Sequence, residues 1–171
     1  SMEVFEVIEK RRSVRKYKPL SVRNEDLKRI LEAARLAPSA GNRQPWRFIV
    51  VRTSERKKLL AQAARNQMFL ADAGVIIVAL ADSEASLKWC KQDVMIAVEH
   101  LVLASTSLGY GTCWIGAFEE EQVKQLLGIP EKIAVVALLP MGVPDERPQA
   151  KPRKSFSEIF FEEEYNRPLK L

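Results

Sequence analysis

The sequence predicts an α+β fold in which a mostly antiparallel sheet packs around one buried helix. Short β-rich runs alternate with helical patterns, and the run GVIIVALA at 74–81 is apolar enough for a strand that is buried on both faces. The segment 94–104 is apolar nearly all round, which is typical of a helix at the centre of a domain or at a subunit interface. No glycine-rich turn follows any predicted strand, so the alternative of a parallel, dinucleotide-binding sheet lacks its phosphate fingerprint.

The first elements follow from hydrophobic period and from the residues that end helices. Apolar residues at helical spacing predict a helix over 3–11, which leads into the basic extended stretch RRSVRKYKP. Asn24 is the expected N-cap of a second helix, and Pro38 stops that helix. A loop, PSAGNRQP, then leads to the β-rich run WRFIVV at about 46–51.

The second half of the chain continues the alternation. ERKKLLAQAAR predicts a third helix, and after the buried strand a long helical pattern runs from about Glu84 to Leu108. Gly109 stands where a glycine often follows a helix. The loop GYGTCWIGAF leads to a short helix, EEEQVKQLLG, and to a strand, IAVVALLPMG. The tail at about 155–171 is highly charged but carries five large apolar side chains, which we expect to pack on a partner subunit. These side chains are Phe156, Ile159, Phe160, Phe161 and Tyr165.

Length and composition favour a single domain over residues 1–171. The 27 Lys and Arg residues against 22 Asp and Glu residues give a net charge of +5, which indicates an anionic partner such as a phosphate, a nucleic acid or an acidic metabolite. No apolar run reaches membrane-span length and no signal-peptide pattern is present, so we expect a cytoplasmic protein without a membrane partner. Two cysteines without C-x-x-C spacing and the single histidine, His100, cannot supply a standard zinc site, and no metal is expected.

The basic stretch RRSVRKYKP is the first candidate site. Residues i, i+2 and i+4 of an extended segment share a face, so Arg11, Ser13 and Arg15 can converge on one ligand. Two guanidinium groups with a hydroxyl between them suit a phosphate or the electron-rich edge of a heterocycle. Lys151 and Arg153 form a similar cluster far along the chain. The alternative for both clusters is a solvated basic surface, with nucleic-acid binding as the next hypothesis.

Two loops are the other candidate sites. The loop PSAGNRQPW places the small hydrogen-bonding residues Ser39 and Asn42 between two prolines. The loop GTCWIG carries glycines that let a planar ligand approach the backbone, with N–H groups of Ile115 and Gly116 near the start of a helix. Cys113 in this loop is expected to be a small buried apolar residue rather than a redox centre. Either loop could also be a plain connection between elements.

These stretches together resemble the nitroreductase family of FMN-dependent oxidoreductases. The resemblance runs from about Val7 to Glu158 and rests on RRSVR, APSAGNRQPWRF, NQMFLADAGVIIV, LGYGTCWIGAF and KPRKSF, in the family's order and approximate spacing. It implies the nitroreductase fold and a homodimer with two FMN sites at the subunit interface, each built from both chains.

The resemblance also implies roles for individual residues. Four residues of the N-terminal stretch would hold the FMN phosphate and the pyrimidine edge of the ring, namely Arg11, Arg12, Ser13 and Arg15. Two more would complete the phosphate grip, namely Lys151 and Arg153. Three would line the isoalloxazine ring from the second subunit, namely Pro38, Ser39 and Asn42. Asn66 would bond the polar edge of the ring, and Ile115 with Gly116 would meet it through backbone groups.

The activity that the resemblance implies is hydride transfer from NAD(P)H through bound FMN to an electron-poor acceptor, such as a nitroaromatic or a quinone. The cofactor carries this chemistry, so no catalytic side chain is expected. The connection from Asp82 to Leu87 is short where longer family members carry a helical insertion over the flavin, so we expect a pocket that is open or closed by the partner's tail. The alternatives are a reductive dehalogenase or flavin-fragmenting enzyme of the same fold, and a basic module that binds anions or nucleic acid.

Overall fold

The computed structural model describes residues 2–171, which form six α-helices and four β-strands. The helices are α1 Val4–Lys10, α2 Asn24–Arg35, α3 Ser54–Ala63, α4 Cys90–Ser107, α5 Glu120–Leu127 and α6 Phe156–Ile159. The strands are β1 Trp46–Val51, β2 Val75–Asp82, β3 Gly111–Thr112 and β4 Ile133–Gly142. The predicted helices and the three long strands occur in the predicted order, and the short β3 is an addition, since the pattern assigns its segment to a loop.

The sheet is antiparallel throughout, with the strand order β1-β2-β4-β3. β2 is central, and its residues from Val75 to Ala81 are all buried because both faces of the sheet are covered. One face packs against α2 and α4, and the other packs against α3, α5 and the stretch around Val14. The predicted α+β architecture, with a mostly antiparallel sheet and a helix packed in its centre, is confirmed.

α4 places its apolar residues on two sides. Val94, Ala97 and Leu101 are fully buried against the sheet, whereas Met95 and Ile96 on the other side are about half exposed. The helix ends at the predicted glycine: Gly109 has φ 91°, and its N–H group donates to the carbonyl of the helix's last turn. α4 therefore serves as core on one side and leaves an apolar strip on the other.

Two predicted helix starts are wrong. Asn24 is the first residue of α2 rather than its N-cap; Arg23 precedes the helix with extended backbone and no side-chain cap. The helix predicted from Glu84 begins only at Cys90. A carboxylate oxygen of Asp82 accepts the N–H of Glu84 at 3.0 Å and closes a turn there. Such local side-chain bonds compete with the helical backbone bonds, so the start of α4 is delayed.

Residues 11–18, called here the basic arm, run along the edge of the sheet. The N–H of Val14 donates to the carbonyl of Thr112 at 2.8 Å, and the N–H of Lys18 donates to the carbonyl of Val143 at 2.8 Å. The buried Tyr17 turns back inside the arm, and its hydroxyl donates to the carbonyl of Val14 at 2.5 Å. The arm is thus an ordered extended segment with a fixed register against β3 and the segment after β4.

The buried phenol of Tyr17 makes the stability of the fold depend on pH at alkaline pH. Burial raises the pKa of the Tyr17 phenol above its ordinary value of 10.0, because the phenolate would lose hydration. The nearby Cys113 is a smaller cause in the same direction. The folded protein therefore holds this proton more tightly than the unfolded chain does. The stabilisation is complete below about pH 10 and is lost as the pH rises above that value.

We expect the midpoint of urea unfolding to fall above about pH 10 and to fall less steeply in Tyr17→Phe. In Tyr17→Phe the midpoint should still fall somewhat with rising pH, since burial also raises the pKa of Tyr110. The measurement is urea unfolding of both proteins at matched pH values. Identical slopes for the two proteins would contradict the assignment.

Candidate functional site

A basic cavity of about 400 Å³ lies where the basic arm meets the segment 148–153. Its cationic and hydroxyl lining is Arg11, Arg12, Ser13, Arg15, Lys151 and Arg153. These are the six residues that the sequence analysis groups around a phosphate, and the structure brings all of them to one cavity although they come from two distant segments. One acidic residue, Glu9, also lines it.

Backbone hydrogen bonds fix the two walls of this cavity to each other. The N–H of Arg15 donates to a carboxylate oxygen of Glu146 at 2.8 Å, and the N–H of Asp145 donates to the carbonyl of Lys16 at 2.8 Å. These two bonds use main-chain groups of the arm, so they leave the side chains of Arg15 and Lys16 available. The cavity is therefore preformed by the packing of the chain on itself.

The guanidinium of Arg12 is hydrogen-bonded within the protein. Its Nε donates to the carbonyl of Pro148 at 3.1 Å, and its Nη1 donates to the carbonyls of Glu9 and Arg11, both at 2.8 Å. Three of the five N–H groups of this guanidinium are thereby used within the protein. Arg12 therefore holds the segment after β4 against the arm and supports the cavity wall, and its predicted role as a direct ligand stays a prediction for its two remaining N–H groups.

The remaining cations of the cavity have no acidic partner. Within residues 2–171, Arg11, Arg15, Lys151 and Arg153 form no ion pair. The one hydrogen bond among their side chains runs from Nη1 of Arg153 to the carbonyl of Lys151 at 3.1 Å. Four cations without an ion pair outnumber the one acidic residue that lines this cavity, so it attracts an anion, and guanidinium forks match the oxygens of a phosphate.

The glycine loop after β3 pairs with β4 at one residue. The N–H of Ile115 donates to the carbonyl of Leu138 at 2.9 Å, and Leu138 returns the bond at 3.0 Å. Both backbone groups of Ile115 are therefore paired inside the sheet, so its N–H is not free to donate to a ligand, and its predicted contact to the ring stays a prediction. The next two residues, Gly116 and Ala117, are exposed, and their N–H groups donate to no acceptor within residues 2–171.

Ala117 offers an exposed backbone N–H that the sequence analysis did not single out. The residues before it alternate in burial as in a strand: Cys113 and Ile115 are buried, and Trp114 between them is exposed. The indole of Trp114 folds over Gly116, where a Cβ would lie 2.8 Å from the ring. A side chain at 116 would therefore displace the exposed indole of Trp114, and the backbone donors that remain free begin at this residue.

Asn66 lies beside this loop. It follows α3 with φ 58°, a conformation that asparagine tolerates better than most residues. The side chain of the next residue, Gln67, donates to the carbonyl of Ala117 at 3.2 Å and to that of Ala64 at 2.8 Å. Gln67, which the sequence analysis did not single out, therefore ties Asn66 to the free N–H groups of the glycine loop. The predicted roles of Asn66 and of the glycine loop toward a flavin ring stay predictions.

The loop with Pro38, Ser39 and Asn42 lies apart from the basic cavity. None of the three lines that cavity in the described chain. The loop has a fixed shape: the hydroxyl of Ser39 accepts the N–H of Gln44 at 3.0 Å, and Asn42 adopts φ 53°. The prediction that these residues serve a site on a second subunit is compatible with this separation and stays a prediction.

Other chemistries find little support in the described residues. His100 packs on α2, with its Nδ1 2.8 Å from the carbonyl of Ala33, and Cys113 is buried, which raises the pKa of its thiol. Within residues 2–171, no cluster of three or more His, Cys, Asp or Glu side chains could bind a metal. Over the same residues, no helix combines the length and apolar character that a membrane crossing demands. The basic cavity, with the free backbone N–H groups of the glycine loop, is the candidate binding site.

Known proteins of one family are similar to this chain over most of its length. Residues 8–73 and 61–143 match the model of the Nitroreductase family. The chain is 40% identical over 152 residues to an Archaeoglobus fulgidus protein named as an NADH dehydrogenase/NAD(P)H nitroreductase, covering 84% of this chain and 87% of that one. It is similar to the structure of an FMN-dependent nitroreductase from Clostridium difficile R20291, with a TM-score of 0.87 and 31% identity over 94% of this chain and 99% of the other. It is also similar to the NADPH:FMN oxidoreductase of Vibrio harveyi complexed with NAD+, with a TM-score of 0.88 and 30% identity over 95% and 77% of the two chains.

Proposed function

Because the chain belongs to the nitroreductase family, we propose that it is an FMN-dependent oxidoreductase that takes hydride from NAD(P)H and reduces an electron-poor acceptor such as a nitroaromatic or a quinone. The observation that supports this most is the basic cavity. Four cations without acidic partners converge there from two distant segments, which suits a single phosphate monoester. The exposed backbone donors of the neighbouring loop suit the polar edge of a planar ring.

The residues of the cavity fit this cofactor, and each has a physical task. Bound FMN supplies the hydride and electron chemistry. Arg11, Lys151 and Arg153 would hold the phosphate, and the hydroxyl of Ser13 would donate to it. Arg15 would place positive charge near the pyrimidine edge, which favours the reduced, negatively charged state of the ring.

The ring itself would be held by neutral donors. Asn66 and the N–H groups of Gly116 and Ala117 would bind the polar edge, while Arg12 keeps the cavity wall in place. Ile115 would act only by anchoring the loop to β4. None of these groups needs to donate or accept a proton in the chemical step.

The site becomes complete in a homodimer. Pro38, Ser39 and Asn42 would approach the ring from the second subunit, since they do not line the basic cavity of their own chain. The exposed apolar strip of α4, with Met95 and Ile96, would lie in the interface. Residues 1–171 would then form one domain whose tail, 155–171, packs on the partner.

The structure of the tail supports this arrangement. The rings of Phe156 and Phe160 pack at 4.5 Å between centroids, and those of Phe161 and Tyr165 pack at 5.0 Å. Phe156, Phe160 and Tyr165 nevertheless stay about half exposed or more. An ordered but uncovered aromatic segment of this kind needs a further surface.

We expect a homodimer in solution. Light scattering at micromolar concentration should give about twice the chain mass of 19.4 kDa, because the strip of α4 and the tail leave apolar surface uncovered in one chain. Met95→Lys, which charges the strip, should shift the population toward the monomer, whereas Leu87→Lys, which charges an exposed loop residue, should not. A wild-type monomer that binds flavin tightly would contradict the shared site.

We expect the purified protein to be yellow and to release one FMN per chain on heating. The released cofactor is identified by mass and quantified by absorbance, and turnover with NADH or NADPH and a quinone tests the activity. FMN is expected rather than FAD, since the basic cavity offers one cluster of cations for one phosphate. Release of FAD, or no flavin binding after reconstitution, would contradict the proposal. Flavin without NAD(P)H turnover would instead favour a specialised flavoenzyme of the same fold.

A further inference from the structure

We propose that Asp93 is a positioning residue, which holds the loop 38–44 in the shape that this loop needs to line the flavin ring. The proposal rests on the proposed function, because the loop's role at the ring comes from there. Asp93 itself touches neither the basic cavity nor the glycine loop. Its action would pass through the backbone of the loop.

The loop is held in an unfavourable backbone conformation. Gly41 has φ 56°, and two residues with side chains, Asn42 and Gln44, have φ 53° and 52°. Left-handed conformations are unfavourable for residues with a Cβ, and glutamine gains less than asparagine from local hydrogen bonds there. Such a conformation persists only where surrounding contacts determine it.

The contacts inside the loop do not attach it to the rest of the protein. The hydroxyl of Ser39 accepts the N–H of Gln44 at 3.0 Å, and the side-chain amide of Gln44 donates to the carbonyl of Asn42 at 2.9 Å. Both bonds stay within 38–44 and set its curvature. They do not fix the position of the loop relative to the rest of the protein.

Asp93 supplies the attachment. Its Oδ2 accepts the N–H of Ala40 at 3.2 Å, and this is the one hydrogen bond that joins 38–44 to an element distant in sequence within residues 2–171. The side chain is only 4% exposed. It lies in the first turn of α4, where the helix dipole stabilises a negative charge. The one hydrogen bond of this side chain goes to the backbone of the loop, which points to a positional task.

The position of Asp93 also connects the loop to the proposed interface. It stands two residues before Met95, the first residue of the exposed strip of α4. If this strip contacts the second subunit, the carboxylate holds the loop at a fixed place relative to the interface. The loop would then reach the partner's flavin ring at a defined distance.

Two variants of Asp93 and one control test the proposal. Asp93→Ala removes the acceptor, and Asp93→Asn keeps an oxygen that can accept the N–H of Ala40. Asp26→Ala is the control, because the carboxylate of Asp26 also accepts one hydrogen bond, from the hydroxyl of Tyr110, far from the loop. Each protein is titrated with FMN and with riboflavin, and its unfolding in urea is measured.

Asp93→Ala is expected to weaken FMN and riboflavin by the same factor, about tenfold, because the loop serves the ring and not the phosphate. The visible circular dichroism of bound flavin should change as well. Asp93→Asn should restore binding to within about threefold of wild type, and Asp26→Ala should lower stability without changing either affinity. Unchanged affinities in Asp93→Ala, no restoration by Asn, or an equal loss in Asp26→Ala would each overturn the proposal.

A cofactor-free measurement separates this proposal from the proposed function. Hydrogen exchange of the Ala40 amide in the flavin-free protein should be at least about tenfold faster in Asp93→Ala than in wild type, and close to wild type in Asp93→Asn. Equal exchange in wild type and Asp93→Ala would show that the carboxylate does not anchor the loop. If wild type binds no flavin, the proposed function fails, whereas the exchange rates still decide whether the anchor exists.

Discussion

Replacing Arg11 or Arg153 by alanine is expected to weaken FMN binding by about tenfold to a hundredfold, while riboflavin binding stays at the wild-type level. Both residues line the basic cavity and neither has an acidic partner within residues 2–171. A hydrogen bond to a charged group contributes about 1.5–3 kcal/mol, and every 1.4 kcal/mol corresponds to about a factor of ten in affinity. Riboflavin lacks the phosphate, so its affinity reports only on the ring and on the fold.

Arg29→Ala is a suitable control for this prediction. Arg29 is exposed on α2 and does not line the cavity, so its removal lowers the net charge equally without touching the proposed phosphate contact. The double variant of Arg11 and Arg153 should lose more affinity than either single variant. If FMN and riboflavin weaken in parallel, the arginines act through stability. If neither weakens, the cluster is a solvated basic surface.

Gly111→Ala is expected to lower stability by about 1–3 kcal/mol and to weaken FMN binding as well. A Cβ at Gly111 would lie 2.8 Å from the Cβ of Val14 and 3.1 Å from a ring carbon of Pro144. The Cβ of Val14 cannot turn away, because the N–H of Val14 itself donates to the carbonyl of Thr112. The basic arm must therefore shift, and the residues on both sides of Val14, Ser13 and Arg15, belong to the proposed flavin site.

Gly109→Ala separates the two effects. A Cβ there would meet nothing within 4 Å, but Gly109 has φ 91°, so alanine would be strained without pushing on the arm. We expect it to cost about 1–2 kcal/mol of stability and to leave the FMN affinity unchanged. Urea unfolding and FMN titration of both variants provide the comparison. An FMN affinity of Gly111→Ala equal to that of Gly109→Ala would contradict the steric link between β3 and the arm.

The parts of this structure that the sequence predicts are those with a local signal. The continuous apolar run of β2 predicts its burial on both faces, and Gly109 marks the end of α4 because its conformation favours glycine. The grouping of Arg11 with Arg153 at one phosphate has no local signal and comes from the family resemblance; the structure places both residues in one cavity. The start of α4 is predicted less well, since the turn made by Asp82 competes with the helix over a few residues.

The parts that the sequence does not predict depend on contacts between distant segments. Ile115 looks like a backbone donor in a glycine loop, but its pairing with Leu138 is set by the register of β4. Arg12 has the same residue type as its neighbours, and only the position of the Pro148 carbonyl assigns it to the cavity wall. Asp93 gives no local signal either, because its partner lies in a loop 53 residues away.

The basic cavity has a consequence for when the cofactor can bind during synthesis of the chain. Its two walls, the basic arm and the segment around Lys151, are separated in sequence by the entire sheet. A nascent chain therefore exposes the arginines of the arm long before the other half of the phosphate site has been translated. Flavin loading would follow completion of the sheet, and bound FMN would then stabilise the longest-range contacts of the fold, by about 2.7 kcal/mol at a hundred times its dissociation constant. The cofactor would thus act as a late, reversible cross-link between the first and the last segments that the ribosome delivers to this site.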